Sequence, residues 1–566
     1  MSKNKWIVTK QPEDEVQQII EYTNLAEVAA RVLYNRGITQ LDDIKPFLKE
    51  KYFVPHDPFL IHDMDKGVAR LKEAIEKKQR ITIYGDYDVD GITSVSLMCI
   101  FLKEKGVTAS FYIPERTGEG YGLNMSAVDT LCGSTDLLIT VDCGITAVSE
   151  IEYAASKGME IIVTDHHQCK DEVPKCCAVI NPRYKESKYA YPDLAGVGVA
   201  FKLICAYEGY DKYYECLEKY SDIVAIGTIA DIMPLTDENR IIVKKGLDKI
   251  VNGDTKIGIS ELINQALPSK NREITASTIS YVIAPRINAA GRLGQCNTAV
   301  ELFLTEDKEK AAQIASELCS KNDLRRETEG EIFNQALDII KKQCDLQKEK
   351  VLILANEGWH QGVIGIVASR LAEIYSCPVF LISTDDNVGK GSGRSIYGFN
   401  LFKALESCKE YLLQYGGHEL AAGITIENSK IDEFKKAINK YANENYKQDE
   451  YTSQLTADCE LKNNDINIRL LNQLELMHPH GAGNEQPLFN VKNLSVSEIV
   501  SLSDGKHTRL TLEKNGTKFP SVYFGMNFDK IQCSYGDKIE IMCNLNINRY
   551  RGMEKIQMII KDLKLQ

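Results

Sequence analysis

No Cys-x-x-Cys pair occurs among the 16 cysteines, which excludes a thioredoxin-type motif and a paired zinc knuckle. No uninterrupted apolar run approaches 18 residues, so no membrane span is expected. No apolar stretch follows the lysines of the opening MSKNKWIVTKQPEDE. A secretory leader is therefore not expected, and the cytoplasm, where thiols stay reduced, is the default compartment. Cys99, Cys205 and Cys319 fall in helix-like stretches and read as small apolar fillers. An excess of positive charge is also missing: 68 Lys+Arg against 80 Asp+Glu leave −12. That excludes a protein that coats DNA with a basic surface, but not an enzyme with one local basic groove. Short repeats and low-complexity tracts are absent.

What is present is ordinary globular usage, 43% hydrophobic and 26% charged over 566 residues. Disorder, collagen and coiled coil are excluded, and about three or four domains are expected. The chain is an α/β protein by its pattern. Residues 1–60 read as a helical lead-in. In 61–250, short apolar runs (RITIYGD, ASFYIP, DLLITVD, MEIIVTD, CAVINP) alternate with helix-length segments, the signature of a parallel sheet covered on both faces. Residues 251–345 read as a helical connector ending in a long charged helix. A second β/α block spans 346–445 and holds the glycine-rich GKGSGRS and YGGHELAAGITI. Residues 455–566 are strand-rich with turns between, which suggests a small barrel.

The polar residues of the first block fall at strand ends. The first run ends in Asp86-Tyr87-Asp88-Val89-Asp90-Gly91, another in Asp142-Cys143-Gly144, another in Asp165-His166-His167; the segment AIGTIADIMPL adds Asp231. Ligands of open α/β sheets bind outside the carboxyl ends of the strands, so these groups converge on one crevice. Clustered carboxylates suppress one another's ionisation unless cations compensate. Carboxylates with imidazole suit Mn²⁺ or Mg²⁺, and a metal pair resolves the conflict. Three simpler readings compete. A calcium loop starting at Asp86 would need a bidentate Glu at its twelfth position, which is Leu97. A zinc site from His167, Cys169, Cys176 and Cys177 has no familiar spacing. Single aspartates such as Asp129 or Asp193 would serve as helix caps, but three acid-bearing strand ends exceed what capping explains.

The set GDYDVDG, TVDCG, TDHH and GTIAD resembles the four signature motifs of the DHH phosphoesterase superfamily, and GRS and GGH resemble its associated second domain. The order of motifs, APRINAAGRL (284–293), HPHGAGNEQPLF (478–489) and the terminal barrel resemble the bacterial single-strand-specific exonuclease branch. The resemblance implies two β/α domains joined by a long helix, with an OB-like barrel at the C-terminus. It implies a hydrolase that removes 5′-mononucleotides from single-stranded DNA in the 5′→3′ direction, in DNA repair and recombination, with a single-strand-binding protein or helicase as partner.

Position by position, the resemblance makes Asp88, Asp90, Asp142, His166 and Asp231 metal ligands, with Asp142 bridging two cations. His167 becomes a catalytic neighbour that contacts the phosphate, and Asp86 and Asp165 orient the turns. Tyr84 departs from relatives that carry His there, so a weaker or more hydrated second metal is expected. Candidate phosphate holders are Arg286, Asn288, Arg292, Ser392, Arg394 and His418; for Arg286 and Arg292 the competing role is interdomain bridging. Arg116, Tyr121 and Asn124 are weaker candidates for the strand-entry path. Trp359-His360-Gln361-Gly362 reads as structural, with Gly362 and Gly365 permitting close packing.

Residues 451–566 hold 14 Lys+Arg and 13 Asp+Glu, so the acidity lies before them. Lys506, His507, Arg509, Tyr523, Arg549, Tyr550, Arg551 and Lys555 combine cations and aromatics as a single-strand groove requires. Two other functions stay open: a phosphoesterase for short oligonucleotides or cyclic dinucleotides, and an inactive single-strand-binding scaffold.

Overall fold

The computed structural model describes residues 4–115, 122–268, 273–292, 295–346, 348–446, 454–550 and 553–566; the side chains of Arg549, Tyr550 and Met553 are not among what it describes. Arg116, Tyr121 and Arg551 lie outside the described residues, as do the side-chain roles expected of Arg549 and Tyr550.

All five apolar runs of the first block become strands of one parallel sheet. The order is Ser110–Tyr112, Ile81–Gly85, Leu137–Val141, Glu160–Thr164, Ala178–Ile180. Alternate residues feed two cores. Ile81, Ile83, Leu137, Ile139 and Ile162 pack under the helices Met64–Glu76, Val89–Glu104 and Gly196–Glu208, while Tyr84, Leu138, Ile161 and Val163 pack on Val128 and Ile151 of the other face. Burial on both faces is why these runs lack polar alternation.

The charged segment before the second block is one 36-residue helix, Lys308–Gln343, about 54 Å long at 1.5 Å per residue. Ile314, Ala315 and Leu318 are buried in the core of the first unit, and Ile332, Ala336 and Ile340 join the core of the next. The second block is a mixed sheet in the order Gln414–Gly417, Ala421–Glu427, Val388–Arg394, Val379–Thr384, Leu352–Glu357, with only the last two parallel.

The C-terminal strands Phe489–Leu502, His507–Lys514, Thr517–Tyr523, Lys538–Tyr550 and Met553–Leu565 close into an OB-like barrel, since the first pairs with the fourth. Three of them run to 13 or 14 residues. Irregular register near Val496 and Met542 lets long strands bend around the barrel. Residues 1–60 do more than lead in. The strand Lys5–Val8 pairs with Gln454–Ala457, and Val16, Ile19, Leu33 and Ile44 share one core with Phe489, Leu510 and Ile541. None of the described helices is long and apolar enough to cross a membrane, and all 16 cysteines are free.

Candidate metal centre

Chain order reverses between the strands Ile81–Gly85 and Leu137–Val141, the switch point at which open α/β sheets hold ligands. Asp88 caps the helix Val89–Glu104, with Oδ1 accepting from the Gly91 amide at 3.0 Å. A Cβ at Gly91 would stand 2.3 Å from the Asp86 carbonyl oxygen, so only glycine closes this turn. Asp90 accepts from the amides of Gly196 (2.6 Å) and Val197 (2.8 Å), the first of the helix Gly196–Glu208, where the helix dipole favours an anion. Asp142 follows its strand with φ +59° and lies against the same helix start. A Cβ at Gly196 would be 2.5 Å from Asp142 Cβ. Asp231 ends the helix Tyr213–Ala230.

Ligand atoms gather in three overlapping sets, each within 4.8 Å: Asp90, His166 and Asp231; Asp86, Asp88 and Asp142; Asp142, His166 and His167. His166 Nε2 is 3.2 Å from Asp142 Oδ1 and 3.6 Å from Asp231 Oδ2. Nε2 and Asp142 Oδ1 are buried without a hydrogen-bond partner. Orphaned buried atoms of this kind are rare, and a divalent cation would satisfy both. The donor set of carboxylate oxygens with imidazole fits Mn²⁺ or Mg²⁺.

The electrostatics agree. Burial, then the charges of Asp231 and Asp88, pushes the Asp90 carboxyl well above the usual carboxylate range; burial, then Asp90, does the same to Asp142. Burial and Asp88 lift Asp231 to about 7. Burial and the nearby His167 depress His166 to about 4, leaving its imidazole neutral and able to ligate. Burial would lower His167 too, but its Nδ1 lies 2.7 Å from Asp165 Oδ1, and that carboxylate raises it to about 9. Asp165 also accepts from the amides of Ile145, His166 and His167, so it orients the turn.

The other candidates lie around this centre. The helix Ala284–Arg292 sits on the first motif, where a Cβ at Gly291 would be 2.4 Å from the Tyr87 carbonyl oxygen. Its Arg292 donates to the Gly362 carbonyl and links the two β/α units. Arg286 donates to Val282 O one turn back (2.6 Å), and Asn288 is half-buried on the same helix. In the second unit Arg394 donates to Ser392 Oγ at 3.0 Å. A Cβ at Gly365 would lie 2.9 Å from both side chains, so that glycine does permit close packing. Ser392 lines a cleft of about 490 Å³ with Lys390, Gln414 and Tyr415. His418 is exposed at a hairpin tip, its Nδ1 accepting from the Leu420 amide at 3.3 Å. Trp359 is buried and donates to Gln335 Oε1 at 2.7 Å, a structural role.

Some expectations change. Asn124 caps the helix Met125–Leu131. Asp129 and Asp193 cap nothing: one accepts from Tyr153 and the other pairs with Arg183. Tyr84 is buried, its hydroxyl donating to the Gly122 carbonyl at 2.9 Å. Asp86, expected only to orient a turn, brings a carboxylate oxygen among those of Asp88 and Asp142. Gly196 and Val197 were not among the expected site residues, although a helix opening Gly-Val-Gly is a signal for anion contact. Nor was Arg183, whose charge partly offsets the rise of the Asp231 carboxyl.

Comparison with known proteins identifies the units of the chain. The DHH family N-terminal domain matches residues 80–228, the DHHA1 domain 348–444 and the RecJ OB domain 457–562. The single-stranded-DNA-specific exonuclease RecJ of Bacillus subtilis is 33% identical over 99% of this chain and 71% of its own length; that of Salmonella typhimurium is 31% identical over 95% and 96%. A crystal structure of RecJ in complex with Mn²⁺ from Thermus thermophilus superimposes with a TM-score of 0.85 at 28% identity, covering 99% of this chain and 80% of that one. A second from that organism is in complex with Mg²⁺. With its strand-end carboxylates, its two β/α units and its closing barrel, this chain belongs to the RecJ family.

Proposed function

We propose that this chain is a metal-dependent exonuclease of single-stranded DNA that works 5′→3′ and releases 5′-mononucleotides, in the cytoplasm, in repair and recombination. One observation carries the reading: the buried His166 Nε2 and Asp142 Oδ1, unpaired amid four further carboxylates. Asp90, His166 and Asp231 would hold one cation, Asp86 and Asp88 a second, and Asp142 both. A divalent pair supplies a nucleophilic hydroxide at neutral pH and offsets charge on the scissile phosphate. Protonated His167, oriented by Asp165, donates to a phosphate oxygen and stabilises its charge. Arg286, Asn288, Arg292, Ser392, Arg394 and His418 would hold flanking phosphates, Arg forks matching their geometry.

The division of labour follows the units. Residues 61–250 carry the chemistry and 251–345 connect. Residues 346–445 hold the strand near the centre, and 455–566, joined by 1–60, grip it further along. A single-strand-binding protein or a helicase is the partner whose chemistry presents such a substrate. Digestion of a long single strand labelled at one end or the other tests the reading: early release of the 5′ label as mononucleotide is expected. Cleavage of only very short oligomers would favour the small-substrate phosphoesterase, and binding without cleavage the inactive scaffold.

A further inference from the structure

The backbone that carries Asp231 is strained. Ile232 has φ +57°, a left-handed value that a β-branched residue rarely adopts, and Asp237, of a type that tolerates it, has φ +42°. Ile232 is 72% exposed, and its left-handed backbone closes the helix Tyr213–Ala230: its amide donates to the Ile229 carbonyl and the Met233 amide to the Thr228 carbonyl, both at 3.2 Å. Such backbone persists where its surroundings over-determine it. Here the Tyr191 hydroxyl and Asn239 Nδ2 donate to the Pro234 carbonyl (3.0 and 3.1 Å), and the Leu235 amide donates to the Ala482 carbonyl at 2.7 Å.

Ala482 belongs to the loop 478–484, the core of HPHGAGNEQPLF, which neither the metal centre nor the strand-binding reading uses. The loop is shaped to this one contact. A Cβ at Gly481 would stand 2.6 Å from Leu235 Cδ1, and one at Gly483 3.1 Å from Pro234 Cβ. Asn484, 1% exposed, fixes the loop by donating to the carbonyls of Met477 (2.8 Å) and Pro479 (2.9 Å). Arg240, equally buried on the helix Asp237–Asn252, donates to the carbonyls of Leu476 (3.0 Å) and His478 (2.8 Å). The C-terminal unit is thus anchored within the strained turn and on the helix that follows it.

We propose that the loop 478–484 is a positioning clamp: seated on Pro234 and Leu235, it holds the turn 231–237 and so keeps Asp231 within the metal centre. Cation affinity then depends on the docked C-terminal unit. The inference rests on Asp231 being a metal ligand.

Mn²⁺ binding to the full chain, followed without DNA by electron paramagnetic resonance of the free ion, tests it. The variants are Asn484→Ala and Gly481→Ala, with Asp231→Ala as reference. Asn484→Ala should weaken binding about tenfold, as loss of an outer-shell support does, with the circular dichroism spectrum unchanged. Adding Ile232→Gly should restore most of that affinity, because glycine adopts φ +57° without strain. If Asn484→Ala does not fold, Gly481→Ala, which adds one methyl against Leu235, carries the same test. Folded variants that bind Mn²⁺ like the parent, or a loss that Ile232→Gly leaves untouched, would overturn the clamp. An Asp231→Ala protein with full affinity would instead remove the reading of Asp231 itself.

Discussion

His166 Nε2 stands 3.2 Å from Asp142 Oδ1, and neither of these buried atoms makes a hydrogen bond. Around them the carboxyls of Asp90, Asp142 and Asp231 are all raised. A carboxyl whose folded pKa exceeds its unfolded value near ~3.9 binds its proton more tightly in the folded state. Without metal, stability should therefore fall as pH rises from about 4 through the Asp231 value of about 7. Mn²⁺ should reverse this, adding about 2.7 kcal/mol at a hundredfold excess over Kd. Thermal melts with and without Mn²⁺ should show a larger metal-induced rise at pH 8 than at pH 5.

Gly196→Ala forces a methyl to 2.5 Å from Asp142 Cβ beside the amides that hold Asp90. Overpacking of this kind costs about 1–3 kcal/mol, and disturbed support of ligands costs about 10–100-fold in metal affinity. Calorimetric titration with Mn²⁺ should find that affinity lowered, whereas Gly198→Ala, whose Cβ meets only Leu194 at 3.3 Å, should bind metal normally.

Much of this was legible in the sequence, for physical reasons. Acids at the ends of Ile81–Gly85, Leu137–Val141 and Glu160–Thr164 sit on one edge because parallel strands all end there. The donors to Asp90 were not legible. Gly196 lies 106 positions away, and only the fold brings a helix start under that carboxylate. Likewise Val16 and Ile19 are apolar residues of a mostly polar lead-in, and nothing local says that they face the barrel.

Lys202 and Glu238 form a fully buried ion pair at 2.9 Å, shared with the backbone of His56 and the Tyr189 hydroxyl. Removing one partner leaves a buried charge, so Lys202→Met or Glu238→Leu alone should cost about 3–5 kcal/mol, while the double replacement should cost much less. Denaturant melts of the full chain, read as a double-mutant cycle, check this.

Arg292 donates to the Gly362 carbonyl across the two β/α units. Arg292→Lys loses the planar fork and should raise KM for long single strands more than it lowers kcat, with Mn²⁺ affinity unchanged. Steady-state kinetics on long and short strands separate these effects.

Asp142→Ala gives the most direct measurement. Mn²⁺-dependent release of mononucleotides from a long single strand is compared with the Kd for the same strand in chelator. The proposed two-cation centre predicts that cleavage disappears while the strand is still bound with parental affinity. Undiminished cleavage by the Asp142→Ala protein would contradict it and place the chemistry elsewhere.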